Sequence, residues 1–355
     1  MNKKLLATTL FALLGAGTMV SAYAIDFKIS GQINRAVLWA DNGNESDVFH
    51  VDNDNSSSRI RIKGSEQFGN YTAGFYFEQQ FESNTSVGVD IPNTSDGADS
   101  DSERWREAWF SGSWGKLSIG QGDGAANGTS EVDLSGTSVV MYAGVVDMNG
   151  GISWVDSAGT RLGVKIKDTI NQFDGLSRND RLRYDTPKFG PFSLAFSHTN
   201  GNAQEMAIRY SSNLGGGKIA AALGIVDTTD RAVTGFTEFD QWGGSVSWLS
   251  AEGWNVTVAA GNREEDASGG VDSDNMYLKL GKRTGPHSVV IEFGGTDDLA
   301  AKGDESESVG AGYVYKANNS VELYVGGRVY SLDRNVGPDA EDITAIMGGT
   351  RVKFF

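Results

Sequence analysis

The chain has 355 residues, no cysteine, 47 glycines, 5 prolines, a formal charge of −16 and a mean hydropathy of −0.31. The acidic balance excludes the basic stripe of a nucleic-acid-binding surface, and the lack of cysteine excludes a disulfide framework. Low bulk hydropathy fits a large secreted β-protein, and equally a transmembrane β-barrel in which only alternate residues meet lipid.

Residues 1–24 read as a secretory signal peptide. Lys3 and Lys4 form a positive start, Leu5 to Val20 an apolar stretch, and Ala22-Tyr23-Ala24 an A-x-A cleavage site. The stretch is too short for a membrane anchor. Its removal leaves one domain of 331 residues, 25–355, with a formal charge of −18. No apolar run in that part reaches the length of a spanning helix.

Period-2 alternation begins at once. Phe27, Ile29, Ile33, Val37 and Trp39 share one face of the first strand, and Lys28, Ser30, Gln32 and Asn34 the other. The second strand, Ser57 to Glu66, sets Ile60 and Ile62 against Arg59, Arg61 and Lys63. The third, Tyr71 to Glu82, sets Ala73, Phe75, Phe77 and Phe81 against Tyr76, Glu78 and Gln80. A strand of a soluble sandwich alternates in the same way, so the connections carry the distinction.

Seven connections are short: Phe68-Gly69-Asn70, Trp114-Gly115, Lys188 to Pro191, Leu214 to Gly217, Ala251 to Gly253, Thr284 to His287 and Ala317 to Asn319. Eight are longer and polar: Asp41 to Ser56, Ser83 to Ser102, Asp123 to Ser177, Asn200 to Ala203, Asp227 to Thr237, Glu265 to Asp272, Thr296 to Glu305 and Leu332 to Asp342. Short and long alternate, which predicts sixteen antiparallel strands with short turns at one end and long loops at the other. Both termini then lie at the short-turn end, where the first and last strands can pair and leave no open edge in lipid. Phe27, Trp39, Trp105, Trp109, Trp114, Tyr184, Trp242, Trp248, Trp254 and Tyr313 fall near strand ends, where interfacial aromatic girdles are expected.

These residues resemble a family. Phe27-Lys28-Ile29-Ser30-Gly31-Gln32 looks like the opening strand of the Gram-negative general porins. Arg59-Ile60-Arg61-Ile62-Lys63-Gly64-Ser65-Glu66-Gln67-Phe68-Gly69-Asn70 is similar to their second strand and first turn, and Leu182-Arg183-Tyr184-Asp185-Thr186-Pro187 to their sixth strand. The resemblance implies an all-β transmembrane antiparallel barrel of sixteen strands in the outer membrane, assembled as a homotrimer, with no enzymatic activity and no cofactor or metal. It implies a third loop, about 123–177, folded into the lumen, and a constriction where basic wall residues face acids on that loop. The implied partners are small hydrophilic solutes, lipopolysaccharide and outer-membrane lipids, and the barrel assembly machinery. Two departures stand out. The third loop is long, and Gly151 to Lys167 within it alternates like a hairpin (Ile152 and Trp154, then Leu162, Val164 and Ile166). At the end of the chain, Ile346, Gly348, Thr350, Val352 and Phe354 share one face, so Phe355 overhangs or the last strand is bulged.

Parity assigns the pore lining. Arg59, Arg61 and Lys63 on the second strand point inward, as do Arg104 and Arg106 opposite Trp105 and Trp109, and Arg181 and Arg183 opposite Leu182 and Tyr184. Arginine facing lipid would cost roughly 2–4 kcal/mol at the midplane. The expected acidic side is Asp123, Glu131 and Asp133 on the third loop, with Glu78 on the third strand available to pair with a wall arginine. Opposed clusters of this kind set up a transverse field that sorts ions by sign. Acids in the outer loops, for example Asp90, Asp96, Asp99, Asp101 and Glu103, enrich cations at the mouth, so the sign of selectivity stays open. The alternatives to a general diffusion pore are a porin preferring oligosaccharides or organic acids, which inward Tyr76 and Tyr142 would support, and a structural or adhesive barrel plugged by its third loop.

Other signals are set aside. Asp52-Asn53-Asp54-Asn55 lacks the glycine and distant glutamate of a calcium loop. The glycines of Gly120-Gln121-Gly122 precede no helix that could hold a phosphate. His50, His198 and His287 are scattered and lack cysteine partners for a zinc or nucleophile site.

Overall fold

Alternation of polarity is what makes this chain a barrel, and the computed structural model gives it in full for residues 25–92, 101–229, 237–267 and 270–355. The expected signal peptide, and Asp96 and Asp99 of the second loop, lie outside these described residues. In chain order the described strands are β1 (Asp26–Asp41), β2 (Ser46–Asp52), β3 (Arg59–Phe68), β4 (Tyr71–Gln80), β5 (Ser102–Gly112) and β6 (Gly115–Asp123). Within the third long loop come β7 (Ser153–Val155) and β8 (Arg161–Lys165), then β9 (Arg178–Asp185) and β10 (Phe192–Thr199). The rest are β11 (Gln204–Leu214), β12 (Gly217–Asp227), β13 (Phe239–Leu249), β14 (Trp254–Glu265), β15 (Asp272–Thr284) and β16 (His287–Asp297). The last three are β17 (Glu305–Lys316), β18 (Val321–Asp333) and β19 (Ile343–Phe354).

Every wall strand pairs antiparallel with its neighbours, and β1 pairs with β19 to close the ring. The lower half of β1 pairs with β3 and its upper half with β2, so β2 and β3 occupy one position in the wall. The wall therefore has the sixteen positions that the alternation of short and long connections predicts. One boundary differs: Asp41 to Ser56, expected to be loop throughout, contains β2. Its Val48 is exposed and its Phe49 and Val51 are buried, so the alternation runs on past the expected strand end.

Outward positions such as Ile29, Ile33, Val37, Ile119, Leu182 and Val258 are exposed large apolar side chains, as a lipid-facing wall requires. At the short-turn end, Phe68, Tyr71, Phe110, Trp114 and Tyr184 form a run of aromatic contacts, with ring centroids 5.3–6.3 Å apart. Phe354 needs no bulge. It pairs in register with Gly31, and its ring covers that glycine, where a Cβ would lie 2.3 Å from the ring. Phe355 overhangs and is fully exposed.

Two expected girdle residues are not in the girdle. The ladder between β4 and β5 slips between Glu78 and Gln79, so that Gln79 faces Glu103 and Glu78 faces Trp105, leaving Arg104 as the extra residue. Such a bulge reverses the parity of everything beyond it. Trp105 and Trp109 therefore turn into the lumen, opposite Glu78 and Gly74. Arg106, expected in the lumen, faces outward across from Phe77 and pairs with Glu103 on the same outer face.

The hydrophobic core lies inside the barrel and off its axis. Residues 139–170 of the third loop bring Val140, Met141, Met148, Ile152, Trp154 and Ile166 against Leu38, Phe49, Val51, Tyr330, Ile343 and Met347 of the inner wall. β7 and β8 form the hairpin that alternation in this loop predicts. Gly310, Gly312 and Gly326 leave room for Met141, which a Cβ at any of them would approach within 2.2–2.7 Å. Loop three thus covers the inner face of β1, β2 and β14–β19, its start runs along β10–β13 through Ser197, Arg209 and Ser245, and it leaves the inner face of β3–β6 open.

Candidate functional site

The uncovered wall and the loop enclose a cavity of about 780 Å³. The wall supplies Arg59 from β3, Arg104 from β5, Arg178 from the mouth of β9 and Arg351 from β19. Opposite stand Glu131, Tyr142, Asp147 and Asp174 of the third loop, with Asp54 of the first. Basic and acidic groups are thus separated across one opening.

On the wall, a single carboxylate serves three arginines. Glu78 Oε1 accepts from Arg104 Nε at 2.7 Å and from Arg59 Nη1 at 3.3 Å, and Glu78 Oε2 accepts from Arg61 Nε and, at 2.6 Å, from the Tyr76 hydroxyl. Arg104 also donates to Gln80 Oε1 at 3.0 Å, and Arg59 Nε to the Ser57 carbonyl at 2.8 Å. Alternate inward residues of β3 and β4 meet Arg104 of β5 here, since cross-strand neighbours lie within reach of one another.

On the loop, Asp174 accepts from the backbone N–H groups of Gly128 and Ser130 at 2.6 and 2.8 Å. Glu131 accepts from the Tyr142 hydroxyl and, at 2.7 Å, from Gln172 Nε2. Burial raises the carboxyls of Glu131, Asp147 and Asp174, and for the last two the neighbouring Glu131 charge adds to it. Asp54 accepts from the hydroxyls of Thr85 and Ser86 and from the Val87 N–H, so it clamps the second loop to the first.

With Arg106 on the outer face, the other expected site residues fall into three groups. Arg59, Arg104 and Glu131 line the cavity, with Glu78 held behind the two arginines. Arg61, Lys63, Arg181 and Arg183 face the lumen nearer the short turns. Arg181 pairs with Glu107 at 2.5 Å, and Arg183 Nη1 donates to the Asp123 and Gly124 carbonyls. Asp123 and Asp133 do not line the cavity. Asp123 ends β6, its carboxylate 3.7 Å from Arg178. Asp133 is buried on Lys279 at 3.0 Å, where it anchors the loop.

Arg178, Arg351, Asp54, Asp147 and Asp174 were not expected as pore residues. Arg351 shares the face opposite Phe354, so parity could have found it. Arg178 has the parity of lipid-facing Leu182 and yet lines the cavity, at the strand mouth directly after Ser177 with its φ of +60°. The loop acids lie in no regular element, and nothing in their spacing marks them.

The chain matches the family described as Gram-negative porin over residues 7–335. No curated protein matches it by sequence. Among solved structures it is similar to an anion-selective porin from Comamonas acidovorans, at 16% identity and a TM-score of 0.65, over 93% of this chain and all of that one. It is similar to OmpT of Vibrio cholerae at 11% identity and a TM-score of 0.60, over 95% of this chain and all of that one. It is similar to the outer membrane channel DcaP of Acinetobacter baumannii at 12% identity and a TM-score of 0.58, over 96% of this chain and all of that one. A closed sixteen-position barrel, an opening past an inward loop and this match together make the chain a member of the Gram-negative porin family, a non-enzymatic outer-membrane channel for passive diffusion of solutes.

Proposed function

We propose that the opening between loop three and the wall is a charge-separated constriction and that it favours small hydrophilic anions. The carrying observation is the shared carboxylate: Arg59, Arg61 and Arg104 have one Glu78 among them. Arg209 adds to the imbalance, since its Nη2 donates to the carbonyls of Ala125 and Asn127. Opposite them, burial holds the loop carboxyls toward their neutral form. Fixed charge at a narrow, low-dielectric opening has more leverage on ion selection than charge spread over the outer loops. The Comamonas relative is itself described as anion-selective.

In this reading the mature chain is one domain, 25–355, freed of residues 1–24. It assembles as a homotrimer, the form recorded for OmpT of Vibrio cholerae. Lipopolysaccharide surrounds it, and the assembly machinery reads its terminal aromatic residues.

The test is the zero-current potential in a planar bilayer under a tenfold KCl gradient. A potential of chloride's sign is expected, moving toward zero in Arg59→Ala and Arg104→Ala and farther from zero in Glu78→Gln. A potential of potassium's sign in the unaltered protein, or no movement in the arginine variants, overturns the reading.

A further inference from the structure

Past the cavity, toward the short turns, the inner face of β3–β6 is lined by aromatic rings flanked by cations. Lys63 Nζ stands 4.1 Å from the Tyr76 ring centre, and the Tyr76 and Trp105 rings lie 4.9 Å apart at 31°. The Arg181 guanidinium is 5.6 Å from Trp105, and Lys116 Nζ is 5.2 Å from Trp109. We propose that this strip is a retention site for planar organic anions, with aromatic carboxylates as the ligand class. The proposal rests on the anion-favouring reading for the supply of such solutes.

Three features argue that the strip is built. Tryptophan in a barrel normally gains from sitting in the interfacial girdle, yet a bulge turns Trp105 and Trp109 away from lipid. Bulges serve to re-aim side chains, often at functional sites. Two glycines also make the space. A Cβ at Gly122 would lie 2.8 Å from Trp105, and one at Gly74 would lie 2.4 Å from Trp109. Finally, the rings are not sealed in: Tyr76, Trp105 and Trp109 are half-buried, and Lys63 is exposed.

The chemistry selects the ligand. A ring face stacks on Trp105 or Tyr76, since offset aromatic pairs attract beyond simple burial. A carboxylate on that ring reaches Lys63, which makes no ion pair among the described residues. A neutral sugar would gain the stacking without the charge, and acetate the charge without the stacking.

The test measures block of the KCl current by added benzoate, acetate or glucose at equal concentration. Benzoate is expected to reduce the current saturably, while acetate and glucose do not. Trp105→Ala should raise the half-blocking benzoate concentration about five- to tenfold, and Trp105→Phe should restore most of it. Lys63→Gln gives a second reading that leaves the rings in place, and it too should weaken the block. Equal effects of benzoate and acetate, or benzoate block unchanged in both Trp105→Ala and Lys63→Gln, overturn the proposal. The zero-current potential in plain KCl judges the anion-favouring reading separately. A chloride-selective pore without benzoate block sinks only the retention site, and a potassium-selective pore with Trp105-dependent block sinks only the selectivity.

Discussion

Arg328 and Lys279 are completely buried charges in a channel protein, and their partners explain why they are tolerated. Arg328 Nε donates to Glu292 at 2.7 Å, and its other nitrogens donate to the carbonyls of Tyr142 and Val145 at 2.8 and 3.1 Å. Lys279 lies 3.0 Å from Asp133 and 3.7 Å from Glu292. These contacts fasten the third loop to β15, β16 and β18, so the charges position the loop and do not face the solute path. Removing one member leaves the others buried and uncompensated. Arg328→Met should therefore cost about 3–5 kcal/mol, read as a fall in the thermal unfolding temperature in detergent. Lys188→Met, at an exposed turn, should change stability by less than about 0.5 kcal/mol. The sequence showed Asp133 as one acid of a polar loop. Period-2 parity gives the face of Lys279 but names no partner across the lumen, which is why Asp133 was expected at the opening and is found as an anchor.

At the scale of elements, the third loop carries both an apolar side and an acidic side. Its hairpin was legible because Ile152 and Trp154 alternate with polar neighbours, as in any half-buried strand. Most of the barrel was legible on the same grounds, since lipid and water impose opposite demands on successive residues. The bulge in β5 was not. A single inserted residue leaves no trace in composition, yet it inverts Trp105, Arg106 and Trp109 together. The acidic side of the loop makes selectivity depend on pH. Glu131, Asp147 and Asp174 have raised carboxyls. In acid they are neutral, and the facing Arg59, Arg104, Arg178 and Arg351 act unopposed. As pH rises through the raised values the carboxyls ionise and anion preference falls. Tyr142, pushed up by burial, stays a neutral phenol meanwhile. The zero-current potential should move toward potassium's sign as the pH is taken up from acid through the raised range of these carboxyls, and Glu131→Gln should flatten part of that change. A potential constant across the range would remove these acids from the constriction.

The whole molecule depends on closing one seam. β1 and β19 pair from Gly31 with Phe354 to Asp41 with Thr344, without slippage. Gly31 is where the seam is tightest, since a Cβ there would lie 2.3 Å from the Phe354 ring and 2.6 Å from the Arg59 carbonyl. Gly31→Val should cost about 1–3 kcal/mol through overpacking, seen as a lowered unfolding temperature of the barrel in detergent. An unchanged temperature would mean that the ring swings aside freely. The off-axis core has a different consequence. Because β9–β19 and β1–β2 hold the loop, the strands β3–β6 contribute little to keeping it in place. Evolution can then rewrite the lumen of β3–β6 as an interchangeable panel, trading one nutrient for another while the frame around it stays the same.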